Sequence, residues 1–435
     1  MNYLAAGLLA AVFVAVIVRQ VTLRGPPVWT LFVAGAFLTL ATGVLTLSGA
    51  GSTIANSAPT LLFLFALFLF ASALETAGAL EHLARWAVSL ARRPIDLPFY
   101  LFVGIGVVSA LLVNDALVLI GVPIVIGLAT RLRVAPKPLV FVLAFSVTVG
   151  STLTPFGNPQ NLLVAVQSGL SSPVATFLRY LAIPTAINLA VGGWYLRYVY
   201  RREMPKDDGE YARAHAEAPP LFPVGGWARR LGQHPVLWVF PATMVVLVTL
   251  DVTSAFVHGP AVPSWEVAIA GAVVLVLATP NRSPILQGMN WSILLLFAGL
   301  FVVVQGAVNG GVVTALQSYF PIPGPGHTLP AIAAVMGTSL GGAQLVSNVP
   351  WVGLQIPVLT GLGYGPGTPV IWMALAAGST LAGNVTLLGA VSNLIVVDTA
   401  QRHGVTIGLS EFVRHGLPVA LITVAILFAC LAVGL

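Results

Sequence analysis

Apolar segments recur along the whole chain at a length that suits a lipid bilayer. A helix that crosses the hydrocarbon core needs about 20 apolar residues. The first segment lacks the basic leader of a secretory signal and is followed by many more, so we interpret it as a span as well. The predicted spans are 3–18, 28–48, 59–79, 137–168, 174–199, 235–251, 263–280, 291–309, 370–398 and 411–434.

Charged residues are too scarce to cover a soluble protein of this size. They make up 7% of the 435 residues, whereas 57% are hydrophobic, and a soluble domain typically carries about 25% charged residues. The composition therefore predicts an all-α polytopic membrane protein, which we expect in the cell inner membrane. The net charge of +6 indicates basic cytoplasmic loops rather than nucleic-acid binding.

The residue types that the sequence lacks exclude several classes of chemistry. Cys430 is the single cysteine, so neither an internal disulfide nor a cysteine-based metal site can form. The two lysines, Lys137 and Lys206, do not belong to a phosphate-binding loop. The sequence predicts a secondary transporter, not an enzyme, that uses a proton or sodium gradient and holds no metal or resident cofactor.

Two further apolar stretches, 97–132 and 329–362, are too long for one crossing and too tightly joined for two. Each carries polar residues near its middle, which predicts a re-entrant hairpin that enters and leaves on one side. The basic residues agree, because Arg92 and Arg93 precede the first stretch while Arg133 and Lys137 follow it. With hairpins counted, all basic clusters lie in the cytoplasm if both termini are outside.

The two halves of the chain match at nearly constant offsets. Asn114 and Asn348 are 234 positions apart. The sequence G-S-T-L at 150 returns after 228 positions, and G-N-P-Q-N-L-L-V at 157 matches G-A-V-S-N-L-I-V after 232. Five spans in each half would place the second half upside down, which is the common plan of secondary transporters with a site near the midplane.

The expected organisation is therefore two inverted repeats, each with five transmembrane spans, one re-entrant hairpin and a broken transmembrane helix. The first repeat (1–200) comprises scaffold spans within 1–80, hairpin 97–132, broken span 137–168 and span 174–199. A cytoplasmic linker (201–234) joins it to the second repeat (235–435), with scaffold spans within 235–309, hairpin 329–362, broken span 370–398 and span 411–434.

Asp115 is the most informative polar residue, because it lies deep in apolar sequence at the middle of the first hairpin. An ionised carboxylate is costly in hydrocarbon, and such residues usually mark functional sites. We expect Asp115 to bind substrate and to couple transport to protons; the alternative is a structural carboxylate that helix N-termini or neighbouring asparagines satisfy. Glu75 and Asp398 are weaker candidates, and Glu81, Asp251 and Glu266 look interfacial.

The other candidate substrate-binding residues are amides and hydroxyls at the hairpin tips and helix breaks. Tip asparagines can hold a polar solute or cap helix ends. Serine and threonine in spans can instead bond to their own helix. These candidates are Asn114, Asn348, Ser151, Thr152, Ser379, Thr380, Asn158, Asn161 and Asn393.

These motifs resemble the ion transporter superfamily of arsenite-antimonite exporters, citrate-metal symporters, sodium-proton antiporters and divalent-anion symporters. The first tip, Val113-Asn114-Asp115, and the second, Asn348-Val349-Pro350, are similar to the arsenite-exporter pattern. The dicarboxylate branch reads Ser-Asn-Thr at both tips. The motifs that carry the resemblance are V-N-D-A at 113, G-S-T-L-T-P-F-G-N-P-Q-N at 150, S-N-V-P at 347 and G-N-V-T-L-L-G-A-V-S-N at 383.

The resemblance implies a static scaffold and a mobile transport domain that holds both hairpins and both broken spans, and it favours a homodimer. The expected function is proton-coupled antiport that exports arsenite or antimonite by an elevator-type movement. A sodium- or proton-coupled permease for a small anion or carboxylate, and a passive channel, are the alternatives. A soluble ATPase partner is left open.

Overall fold

The structure is a computed structural model in which every regular element among the described residues is a helix. Most of the predicted linker 201–234, and Glu81 among the weaker acidic candidates, lie outside the described residues. The described residues are 2–22, 25–78, 90–205, 211, 233–256 and 262–434.

The first half contains eight described α-helices and one 3-10 turn, Pro94–Asp96. Its helices are α1 (Tyr3–Thr22), α2 (Val28–Ala41), α3 (Leu47–Thr76), α4 (Leu97–Ser109), α5 (Asn114–Arg131), α6 (Pro136–Gly150), α7 (Pro159–Gln167) and α8 (Pro173–Tyr200).

The second half repeats this order and adds two short helices, α11 and α13. Its helices are α9 (Val236–Phe256), α10 (Ser264–Ala278), α11 (Ser283–Gln287), α12 (Trp291–Asn309), α13 (Val312–Gln317), α14 (Thr328–Val346), α15 (Asn348–Gly361), α16 (Pro369–Ala382), α17 (Val391–Arg402) and α18 (Leu409–Ala432). Seven of the described helices, α3, α5, α8, α9, α12, α14 and α18, are long and apolar enough to cross a membrane.

Helix α3 differs from the span that the sequence predicts. It begins at Leu47 and continues for 30 residues through Pro59, so segment 49–58, expected as a connection, is helical. The Thr46 hydroxyl accepts the Gly49 N–H at 3.0 Å and thereby caps the helix. The small and polar residues of this first part lower its hydropathy, which hid the helix from a search for apolar runs.

Both long apolar stretches form helical hairpins whose tips are buried. Residues 110–113 join α4 to α5, and Ser347 joins α14 to α15. The tip residues Val113, Asn114, Ser347 and Asn348 are all at most 3% exposed. Both hairpins therefore end inside the protein.

The two halves interlock through the hairpins. Helix α4 packs against α6 in the first half, and α14 packs against α16 in the second. The other arm of each hairpin crosses over, since α5 packs against α17 and α15 packs against α7. Residues of the first and second halves therefore share one interior, while the opposite orientation of the halves in the bilayer stays a prediction.

Glycine permits the close approach of α4 and α6. A Cβ atom at Gly150 would lie 1.9 Å from the backbone oxygen of Gly106, so the two backbones touch. The Ser109 hydroxyl donates a hydrogen bond to the Val147 carbonyl at 2.6 Å across the same contact. Small residues and interhelical hydrogen bonds are the usual means of packing helices in lipid.

We expect Gly150→Ala to lower the thermal stability of the protein, because the added methyl group must push α4 and α6 apart and overpacking costs about 1–3 kcal/mol. The midpoint of thermal unfolding in detergent measures the effect. Gly127→Ala is the matched control, since nothing lies within 4 Å of a Cβ atom at Gly127. Equal midpoints for the two variants would contradict the tight contact.

Candidate functional site

Two helix breaks form the centre of the candidate site, and each is stabilised by an asparagine from the following helix. The first break lies between α6 and α7, and the second between α16 and α17. Asn161 Nδ2 donates to the carbonyls of Ser151 and Thr154 at 2.9 and 3.1 Å. Asn393 Nδ2 donates to those of Gly383 and Thr386 at 2.6 and 3.3 Å. All three pairs of equivalent residues are 232 positions apart, so the contact repeats at the offset that the sequence predicts.

The hairpin tips dock on these breaks in the same way. The Asn114 N–H donates to the Gly157 carbonyl at 2.9 Å, and the Asn348 N–H donates to the Gly389 carbonyl at 3.1 Å. A Cβ atom at Gly157 would lie 2.3 Å from the Ser151 carbonyl oxygen, so this docking point requires glycine. Each tip is therefore fixed to the broken helix of its own half.

A threonine in each break strengthens this docking. The Thr154 hydroxyl donates to the Ala110 carbonyl at the end of α4. The equivalent Thr386 hydroxyl donates to Gln344 Oε1 of α14 at 2.8 Å. Gln344 Nε2 in turn donates to the Ala382 carbonyl at 2.7 Å, so tip and break form one hydrogen-bonded unit in each half.

Thr380 connects the two halves at the breaks. Its hydroxyl oxygen accepts hydrogen bonds from Asn158 Nδ2 at 3.2 Å and from Gln160 Nε2 at 3.1 Å. The same hydroxyl lies 3.2 Å from Asn161 Oδ1, to which it can donate. All four side chains are at most 1% exposed. We call Asn158, Gln160, Asn161 and Thr380 the amide–hydroxyl cluster; it contains no charged group.

The remaining predicted hydroxyls donate hydrogen bonds to carbonyls of their own helices. Ser151 Oγ donates to the Thr148 carbonyl and accepts from Asn158 Nδ2, which joins it to the cluster. Thr152 pairs with Thr185 of α8 at 2.9 Å. Ser379 donates to the Ala376 carbonyl at 3.1 Å. The structure thus brings Ser151 to the cluster and leaves Thr152 and Ser379 outside it.

Asp115 lies in the first turn of α5, at the docked tip, and is 6% exposed. No hydrogen bond or ion pair joins its carboxylate to another described residue. Among the described residues, Asn114 Oδ1 on the adjacent residue and Ser392 Oγ on α17, a helix that packs against α5, are also buried without a hydrogen-bond partner. This region therefore has unused hydrogen-bonding capacity around a carboxylate.

At the second tip the polar groups are used locally. Asn348 Oδ1 accepts the Val349 N–H at 2.9 Å, within the first turn of α15. Ser347 has φ 70° and ψ 160°, a conformation that is rare outside glycine and costs about 1–3 kcal/mol. Its repeat partner Val113 has an ordinary φ of −56°, so strain is confined to the second tip.

The weaker acidic candidates do not reach the site. Glu75, Glu266 and Asp398 are exposed, and Asp398 pairs with Arg402 at 2.7 Å. Asp251, near the end of α9, is buried, and its carboxylate accepts the Ala175 N–H at 2.8 Å. This bond caps the N-terminus of α8 and gives Asp251 a structural role.

The sequence interpretation omitted three buried amides from the site. Gln160 belongs to the cluster, while Asn384 in the second break and Gln355 on α15 are buried with both amide atoms unpartnered. Each is an uncharged polar residue in strongly apolar sequence, which is the signal that would have identified it. Amides draw less attention than Asp115 because their burial is less costly than that of a charge.

A cavity of about 310 Å³ lies beside the first break. Pro155 and Phe156 of the break line it, as do Asp251, Ser254 and Trp265. The surrounding loops carry almost no basic residues, which is the pattern expected of the outer face. The cavity is large enough to hold several water molecules or a small solute next to the broken helix.

Comparison with known proteins gives a consistent result. The citrate transporter family matches residues 12–378. A 46 kDa membrane protein of Mycobacterium leprae is 26% identical over 374 residues, 83% of each chain. The silicon efflux transporter LSI3 of Oryza sativa subsp. japonica is 26% identical over 440 residues, 90% of each chain.

A solved structure shares the fold. The YdaH transporter of Alcanivorax borkumensis superposes with a TM-score of 0.58 at 16% sequence identity, covering 90% of this chain and 89% of that one. The family match includes both hairpins and the first break, and it ends in α16, before the second break. The chain is therefore a membrane transporter, not an enzyme, and belongs to the citrate transporter family of the ion transporter superfamily.

Proposed function

We propose that the protein exports a small uncharged hydroxide, arsenite or antimonite, in exchange for protons. The observation that carries this proposal is the amide–hydroxyl cluster, which offers donors and acceptors but no charge. Arsenite at neutral pH is an uncharged trihydroxide, so hydrogen bonds suffice to hold it. Cys430, the single cysteine, rules out a site of several thiolates.

The rice relative supports the same solute class. It is named a silicon efflux transporter, and silicic acid is likewise an uncharged hydroxide at neutral pH. Both solutes present several hydroxyl groups to a site and carry no charge to be neutralised. Export of such a solute against its concentration gradient needs coupling to a second species. We assign that role to the proton.

Asp115 is the proposed proton carrier. Its carboxylate is buried at the first tip, and no described cation pairs with it. Burial disfavours the ionised carboxylate and so favours its protonated form. When the site opens to water on either side, the carboxylate can ionise and release the proton. Movement of the two hairpins and two broken helices against the scaffold spans would provide the alternating access.

The proposed arrangement in the cell is an inner-membrane homodimer with both termini outside and the central linker in the cytoplasm. The proton gradient is the proposed energy source, and a soluble ATPase partner is left open. Helices α7 and α16 would move as one body, because the amide–hydroxyl cluster joins them.

A coupled importer of a small carboxylate is the second candidate. The family is described as a citrate transporter. In addition, α7 and α17 both begin at the breaks, where helix N-termini attract anions. No described basic residue hydrogen-bonds to the cluster, however, and this favours the uncharged solute.

Purified protein in proteoliposomes should carry arsenite against its gradient when a pH gradient is imposed. Cells that lack their own exporter should survive arsenite when they express the chain. Uptake of citrate under a sodium or proton gradient, without arsenite flux, would instead identify the carboxylate importer. Arsenite flux that ignores the pH gradient would indicate a passive channel.

We expect Asp115→Asn to abolish pH-driven transport, because asparagine cannot take up and release the coupling proton. Arsenite flux in proteoliposomes with and without a pH gradient measures this. Asp398→Asn is the control, since Asp398 is exposed and paired with Arg402, and it should keep its coupling. Proton-coupled flux in the Asp115→Asn variant would refute the assigned role.

Thr380→Val should lower transport about tenfold or more, because Asn158 and Gln160 lose their shared acceptor and an unsatisfied buried group costs about 1–3 kcal/mol. Initial rates of arsenite flux test this. Thr148→Val is a matched control, since among the described residues the buried Thr148 hydroxyl bonds only to the Ala144 carbonyl of its own helix. Similar rates for both variants would show that the link between the halves is dispensable.

A further inference from the structure

Gln355 is a buried amide that the described structure does not satisfy. It lies on α15 and is 1% exposed, yet neither Oε1 nor Nε2 has a hydrogen-bond partner. Burying an unpaired amide costs several kcal/mol in water-to-hydrocarbon transfer, and most buried polar groups in proteins are paired. The amide therefore needs a partner beyond the described residues of the chain.

The position of Gln355 points to the transport site. It follows Asn348 by seven residues, which places both side chains on one face of α15, two turns apart. The opposite face carries Gly353, which packs against Leu300 of α12. Helix α15 also packs against α7 and α16, the helices that carry the amide–hydroxyl cluster.

Comparison of the two hairpins shows that the fold itself does not require this amide. The first hairpin has Gly121 at the equivalent position, 234 residues earlier, as for Asn114 and Asn348. A Cβ atom at Gly121 would lie 2.9 Å from the Leu143 side chain, so that position is closed in the first half. A long polar side chain occurs only in the second half.

We propose that Gln355 is a substrate-binding residue that recognises hydroxyl groups of the transported solute. Oε1 would accept a hydrogen bond from one hydroxyl, and Nε2 would donate to the oxygen of another. This inference rests on the proposed export of an uncharged hydroxide. It extends the binding site from the breaks along α15, to a residue beyond the hairpin tips and helix breaks.

The test is Gln355→Leu, which keeps a similar volume and removes both polar atoms. Substrate-free protein should unfold at the same or a higher temperature than the wild type, because an unpaired amide is replaced by an apolar group. The KM for arsenite should rise about tenfold, which corresponds to about 1.4 kcal/mol of lost binding. The kcat should change little.

Gln344→Leu is the matched control for stability. Gln344 is paired with Thr386 and the Ala382 carbonyl, so its replacement should lower the unfolding temperature. A comparable fall for Gln355→Leu would overturn the inference, since Gln355 would then be structural. An unchanged KM in a stable Gln355→Leu protein would overturn it as well.

Failure of the proposed function gives a different result. If the wild type carries citrate and no arsenite, the export hypothesis is wrong, and KM is then compared for citrate. A raised KM for citrate keeps Gln355 as a substrate-binding residue of another solute, whereas an unchanged KM removes it. The unfolding comparison needs no substrate and applies in either case.

Discussion

The structure depends on hydrogen bonds to the backbone N–H and C=O groups that are left free where two helices break inside the protein. Lipid offers no hydrogen bonds, so each break needs internal partners. Asn161 and Asn393 supply them by donating to break carbonyls, and the hairpin tips occupy the Gly157 and Gly389 carbonyls. The same contacts create a polar interior next to unwound backbone, which is where a solute can bind.

The two halves share this backbone support but differ in the polar residues that they add to it. The first tip adds Asp115, whereas the second adds a strained Ser347 and, further along its arm, Gln355. The cluster is also one-sided, since Thr380 of the second half meets three amides of the first. Symmetric backbone support thus coexists with different chemistry on the two sides.

Much of the architecture followed from sequence because it has local causes. Apolar length predicted the helices, and proline or glycine predicted the breaks before Pro159 and after Ala382. The start of α3 was missed because its small polar residues give low hydropathy, although Thr46 caps a helix there. The roles of the candidate residues divided in the structure: Asn161 and Asn393 support the breaks, while Thr152 bonds to α8.

By itself, the sequence determined membrane residence, the repeat and the breaks, since hydropathy, matching offsets and the missing proline N–H are properties of the chain. Only the tertiary structure decided which polar groups meet. Asn158 and Thr380 are 222 residues apart in sequence, and no pattern in either segment predicts their contact. Gln355 emerged for the same reason, because an unpaired amide is defined by the neighbours that folding places around it.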